Sequence, residues 1–192
     1  MWLWHFIQCL DGPDATKVRL TVDRCLESSI ASVLPDLTTG VALVDLSTRR
    51  GRLQLTGDDS IDLLNRLSTN DLKDLTCLGT GAATVFVSNK GRIIDLVHIL
   101  RRGDHLVALT SGTGALPVAQ QIAFYTIMED VVVADVSSET VHYRLLGEKV
   151  TELLQFPREC PPYGSVSLDI DGINCLGLRS EFGQISCIDL LA

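Results

Sequence analysis

Apolar and polar positions alternate with two periods along this chain. Gly40–Leu46 reads as a strand, and in Arg52–Thr56 the side chains of Leu53 and Leu55 share one face. Ile61, Leu64 and Leu67 recur at helical spacing, so a helix is expected to run to about Leu67, capped by Asp58 or Asp59. Ala82–Ser88, the turn Asn89-Lys90-Gly91 and Arg92–Leu100 form a predicted hairpin, followed by a strand over His105–Thr110. A helix over Ala115–Phe124, strands over Asp130–Val136 and Val141–Leu146, and a short helix over Glu148–Leu154 come next. Ser165–Ile170, the turn Asp171-Gly172, Ile173–Arg179 and Gln184–Leu190 close a strand-rich end. Strands adjoin as hairpins more than they alternate with helices. The pattern therefore predicts an α+β fold with mixed or antiparallel sheets and flanking helices. Residues 1–39 differ: they hold both tryptophans, a polar loop at Asp11–Asp14 and a helical stretch near Asp23–Leu34 that ends at Pro35. They read as an N-terminal extension to a main domain over 40–192.

Composition narrows the class. The 192 residues are 46% hydrophobic and 21% charged, enough apolar material for a real core. No apolar run reaches the roughly 18 residues that a bilayer demands, so no membrane span is expected. The apolar start Met1–Ile7 lacks a basic segment and a cleavage site, so it is not read as a signal peptide. Six dispersed cysteines without a Cys-x-x-Cys pair predict reduced, mostly buried thiols, no metal site and a cytoplasmic setting. The net charge of −8 argues against nucleic-acid binding. Basic groups nevertheless gather beside turns, as Arg49-Arg50-Gly51-Arg52, Lys90-Gly91-Arg92 and Arg101-Arg102. Such groups decorate a solvated turn or meet a small anion there.

One residue stands out chemically. On the strand Arg92–Leu100, Ile93, Asp95, Val97 and Ile99 share one face, and Ile94, Leu96, His98 and Leu100 the other. Both faces are apolar, so the strand is expected to be central and buried. Asp95 then places a carboxylate in an apolar row, which costs several kcal/mol unless a partner or ligand satisfies it. Backbone N–H donors or a ligand are equal alternatives at this point. His98 reads as a hydrogen-bonded core histidine. Gly79-Thr80-Gly81 and Gly112-Thr113-Gly114 match no phosphate-binding pattern and read as turns.

Motifs in one order carry a family resemblance. Leu67-Ser68-Thr69-Asn70-Asp71-Leu72, Gly79-Thr80-Gly81, Thr84-Val85-Phe86 and Asn89-Lys90-Gly91-Arg92-Ile93-Ile94-Asp95-Leu96 follow one another closely. Together they resemble the tetrahydrofolate-binding family of the glycine-cleavage T-protein (aminomethyltransferase) and the YgfZ-type folate-binding proteins. The Lys-Gly-Arg hairpin is nearer the YgfZ branch, since T-proteins usually carry two glycines and two successive aspartates there. Gly51–Asp59 fits the family's strand-then-helix entry, and Arg179-Ser180-Glu181-Phe182-Gly183 is similar to its second folate segment.

The resemblance implies a T-protein N-terminal fold, tetrahydrofolate or a one-carbon derivative as ligand, and roles for particular residues. Asp95 falls on the second of the paired aspartates, the catalytic carboxylate facing the reactive folate nitrogens; Ile94 replaces the first. Glu181 falls near the glutamate that hydrogen-bonds the pterin. Thr110 and Ser111 lie where the family places a polar contact, and Arg179, Lys90 or Arg92 would meet the glutamate tail. Asn70 and Asp71 are expected to cap the helix end. The C-terminal barrel of both branches and the downstream Lys-Gly-Cys-x-x-Gly-Gln segment of YgfZ-type proteins do not occur in these residues, implying a short form or a fragment. Three functions are then open. The first expectation is a YgfZ-type folate-binding protein supporting iron–sulfur protein assembly or repair. The others are a T-protein-like aminomethyltransferase, and a non-catalytic remnant or subunit whose exposed face a partner chain or self-association covers.

Overall fold

The computed structural model describes residues 17–19, 40–182 and 185–192; of residues 17–19, 181 and 182 it describes the backbone alone. Fourteen elements follow one another among these residues. They are β1 (Lys17–Arg19), β2 (Val41–Asp45), β3 (Arg50–Thr56), α1 (Ser60–Leu67), β4 (Gly81–Val87), β5 (Ile93–Arg102), β6 (His105–Ser111) and α2 (Ala115–Tyr125). After these come β7 (Val132–Asp135), β8 (His142–Leu146), α3 (Val150–Leu153), β9 (Ser165–Ile170), β10 (Ile173–Phe182) and β11 (Ile185–Leu191). The helix expected near Asp23–Leu34 lies outside the described residues, while Lys17–Arg19 joins β2 in parallel pairing.

The strands make two sheets. One has the order β4-β5-β6-β3-β7 and is antiparallel throughout. The other, β1-β2-β8-β11-β10-β9, is antiparallel except at β1. This is the α+β arrangement of mixed and antiparallel sheets that the pattern predicts. Period-two alternation then decides what each face packs on. On the five-stranded sheet Leu53, Leu55, Val97, Ile99, Leu106 and Ala108 meet α1 and α2 through Leu63, Leu64, Leu67, Val118 and Ile122. On its opposite face Leu100 and Leu109 pack on Leu176, Leu178 and Leu191 of the six-stranded sheet. The far face of that second sheet buries Tyr143, Leu145, Ile188 and Leu190 against Val150, Phe156 and Cys160. The order of layers is therefore helices, sheet, sheet, and the α3 segment.

Local chemistry explains the turns. Asp171 and Gly172 both take positive φ, 51° and 79°, as a two-residue hairpin between β9 and β10 requires. Several expectations need correction. The buried stripe of α1 is Leu63, Leu64 and Leu67, with Ile61 only packed beside it. Asp59 precedes α1 but makes no side-chain cap; its carboxylate accepts the Asp130 N–H at 2.8 Å instead. Asn70 does not cap the helix either. It ties the following loop to β4, donating from Nδ2 to the Ala83 carbonyl and from its N–H to Thr84 Oγ1. Asp71 accepts the Lys73 N–H in a local turn.

The strand β5 lies between β4 and β6, and Asp95, Val97 and Ile99 are buried on one face as expected, but a bulge puts Ile94 rather than Ile93 beside them. Its other face is covered only in the C-terminal half, by the second sheet. Leu96, nearer the hairpin tip, is exposed. His98 is half-buried edge-on to Tyr163, with ring centroids 5.0 Å apart. Cys160, Cys175 and Cys187 are buried free thiols, and Cys77 is an exposed one. Among the described residues no helix is long and apolar enough to cross a membrane, and no cluster could hold a metal ion.

Candidate functional site

The hairpin β4–β5 places Asp95 opposite Phe86, on the face that meets the helices. The residue is 7% exposed. Two features hold its carboxylate. Oδ2 accepts the main-chain N–H of Ser111 at 2.8 Å, at the end of β6. The glycine before α2, Gly114, lies directly against the same oxygen: a Cβ built there would stand 1.8 Å from Oδ2 and 2.9 Å from Ser111 Oγ. Only glycine allows this approach. It brings the N-terminal end of α2, with its outward N–H groups and positive dipole end, onto the carboxylate. Oδ1 makes no hydrogen bond to the described residues and stays open. A bulge shifts the register here, so that Ile93 pairs with Val87 and turns away from the Asp95 face, while Ile94 packs on the core beside Phe86. Leu116, two residues past Gly114, is exposed.

Main chain thus satisfies one oxygen of Asp95, and the other has no hydrogen-bond partner among the described residues. A carboxylate so held can accept an N–H or stabilise positive charge on a nearby amine, and the exposed Leu116 offers an aliphatic surface beside it.

Ser111 therefore meets Asp95, through its main-chain N–H and with its hydroxyl close by. Thr110 is fully buried, with Oγ1 donating to the Ser111 carbonyl at 3.0 Å. Lys90 and Arg92 stand exposed at the hairpin tip, close in sequence to Asp95. Arg179 lies elsewhere. It pairs with Ile188, whose side chain belongs to the far face of the second sheet, so two sheets separate its side chain from that of Asp95. Its guanidinium donates to the carbonyls of Arg158 and Cys160, at 2.9 and 2.8 Å, beside a cavity of about 480 Å³. Asp95 takes no part in lining that cavity. Glu181 pairs with Ser186 across the β10–β11 hairpin, and its side chain is outside the described residues.

The sequence reading passed over two arrangements. Gly114 is one. The other is a charged cluster between the sheets, where Arg144 Nε and Nη2 donate to the two oxygens of Asp189 at 2.6 and 2.7 Å. Ser180 donates to Asp189 as well, at 2.6 Å, and His142 Nε2 lies 3.5 Å away. Burial pushes the Asp189 carboxyl up, but the bonds from Arg144 and the nearness of His142 together outweigh it and hold it well below the usual carboxylate range. Burial pushes the neighbouring Cys187 thiol up to about 12, which keeps it protonated and inert. An Asp between Ile188 and Leu190 carried the same signal that drew notice to Asp95.

The comparisons with known proteins agree with this architecture. An aminomethyltransferase of Bacillus mycoides is 29% identical over 128 residues, which cover 67% of this chain and 34% of that protein. A chloroplastic protein of Arabidopsis thaliana, named for a transferase activity, is 29% identical over 148 residues, covering 76% of this chain and 34% of its own length. The chain thus spans about a third of these curated relatives. The solved aminomethyltransferase T of the Bartonella henselae glycine cleavage system superposes with a TM-score of 0.64 at 14% identity, covering 79% of this chain and 41% of that one. A chain of the heterotetrameric sarcosine oxidase from Corynebacterium sp. U-96 gives 0.56 at 17% identity, covering 86% and 83%. The family profile described as the GCVT N-terminal domain matches residues 23–182, and the chain belongs to that family.

Proposed function

We propose that this chain is the folate-binding unit of an aminomethyltransferase-type protein, with Asp95 as the residue that meets tetrahydrofolate. The open Oδ1 of a carboxylate whose Oδ2 is pinned carries this reading. Tetrahydrofolate, when bound, supplies the nitrogens between which a one-carbon unit is held. Asp95 accepts an N–H from that region and offsets positive charge there, while Leu116 offers the ring an exposed aliphatic side chain. Ser111 adds a hydroxyl beside the carboxylate. Lys90 and Arg92 stand where an anionic tail leaving the site would pass. The transferase names of the relatives favour this reading over a YgfZ-type role in iron–sulfur protein maintenance.

Titration calorimetry with a reduced folate is the test. The expected result is binding by the native chain and a loss of about tenfold to a hundredfold in Asp95→Asn, the range for a charge-assisted hydrogen bond. No heat at high protein concentration would sink the proposal. For the transfer step, an assay with an aminomethylated lipoyl carrier decides, and activity unchanged in Asp95→Asn would remove its catalytic role.

A second reading has an observation of its own. The chain matches 83% of a chain belonging to a heterotetrameric enzyme, so a fold of this extent exists as one subunit among several. In that reading another chain completes the site.

A further inference from the structure

A second surface, at the other end of α2, stands apart from the Asp95 site. The helix reads Ala-Leu-Pro-Val-Ala-Gln-Gln-Ile-Ala-Phe-Tyr and carries no charge in any turn. Val118 and Ile122 spend its buried side on the core. Past them the chain turns Phe124 (76% exposed), Ile127 (83%) and Met128 (94%) toward water, and Val132 at the start of β7 is exposed beside them. Scattered apolar side chains need no explanation, but large ones grouped at one place mark an interaction site.

The loop that presents them is firmly built. Glu129 Oε2 accepts the N–H groups of Ile127 and Met128, at 2.8 and 3.0 Å, while Oε1 receives Arg66 at 2.7 Å. The Asp59 N–H donates to the Asp130 carbonyl, the Asp130 N–H donates to the Asp59 carboxylate, and Asp58 donates its N–H to the Asp130 carboxylate. Phe124 and Tyr125 meet edge to face with centroids 5.0 Å apart. The loop backbone is thus fixed while its largest side chains are exposed, so little backbone entropy remains to be lost on contact.

Charge selects the occupant. Asp58, Asp59 and Asp62 at the start of α1 adjoin Glu129 and Asp130 of the loop, and the guanidinium of Arg66 among them is already engaged by Asp62 and Glu129. An anionic lipid surface would be repelled. In a two-fold contact between copies of this chain the same carboxylates would face one another. We propose that this patch is a docking surface for another protein, whose contacting segment carries apolar anchors flanked by Lys and Arg. Phe124, Ile127 and Met128 fill its apolar side, and the acidic rim sets its orientation and its rate of encounter.

The test uses the full chain and synthetic peptides. A helical peptide of Leu and Lys in amphipathic order is compared with a scrambled peptide of the same composition and with a Leu/Glu peptide of the same pattern. Fluorescence anisotropy should show binding of the first alone, weakened by added salt. Phe124→Ser, Ile127→Ser and Met128→Ser together should cost about tenfold or more in affinity with an unchanged melting profile. Equal binding of the scrambled or Leu/Glu peptide overturns the proposal, as does no binding of the Leu/Lys peptide, or binding that the triple variant retains. Flotation with phosphatidylcholine/phosphatidylserine vesicles would assign the patch to a membrane instead. A concentration-dependent dimer in sedimentation, abolished by the triple variant, would assign it to a second copy. Because these variants lie away from Asp95, failure here leaves the folate reading standing, and the reverse holds as well.

Discussion

At Gly114 the missing side chain matters more than most side chains present. A methyl group there would overlap Asp95 Oδ2, so either the carboxylate swings away or the start of α2 retreats. Gly114→Ala is therefore expected to lower stability by about 1–3 kcal/mol, the range for overpacking, and to weaken folate binding with it. Ser111→Ala is the contrast, since the bond to Asp95 comes from main chain and survives the change. Denaturant unfolding and calorimetry on the two variants separate a positioning effect from a lost hydroxyl. Asp95 was legible in the sequence because a carboxylate in an apolar row is costly and so conspicuous. Its clamp was not legible. Gly112-Thr113-Gly114 reads as a turn, and nothing in the letters tells that the Gly114 Cα faces a carboxylate from a strand nineteen residues upstream in the chain.

Elements carry the same lesson at larger scale. The hairpins β4–β5 and β9–β10 follow from alternation and turn chemistry, so they were readable. The pairings of β3 with β6 and β7, and of β2 with β8, join distant segments and depend on which faces the two sheets hide. For the same reason Arg179 could not be placed: its neighbour Ser180 faces between the sheets while it faces away. The basic cluster at Arg49–Arg52 shows a third case. Arg52 neither decorates a turn nor waits for an anion; it is 1% exposed. Its guanidinium donates to the carbonyls of Ser47, Arg50, Ser137 and Thr140 and to Thr140 Oγ1, tying the turn before β3 to the loop after β7. Burial lowers its pKa, and Asp135 and Asp45 act in the opposite sense. Replacing it by Met orphans these acceptors, so urea unfolding should show a loss of about 2–4 kcal/mol. Arg52→Lys should recover little of it, because one ammonium cannot span acceptors laid out for a planar fork.

Across the whole molecule, chain order and layer order are interleaved. The five-stranded sheet is an insertion between β2 and β8, and both flanks of the chain meet in the six-stranded sheet. The closing strand β11 must therefore be held from both sides, and Asp189 does this at the layer between the sheets. It takes Arg144 from β8 and Ser180 from β10, and it is 1% exposed. Its folded pKa lies below the value of about 3.9 for a free aspartate. The stabilisation is therefore fully present above pH 4 or so and is lost as the pH falls through the lower folded value. Glu129, brought down to about 2 by Arg66 first and by the Ile127 and Met128 amides next, titrates in the same acid range, but at the surface, where salt screens it. Unfolding measured from neutral to acid pH at low and high salt separates the two. Asp189→Asn leaves Arg144 without its buried counter-charge, so it should cost about 3–5 kcal/mol at neutral pH and flatten the acid limb at both salt levels. An acid limb that persists unchanged in the variant would show that the closure of the sandwich rests on apolar packing rather than on this ion pair.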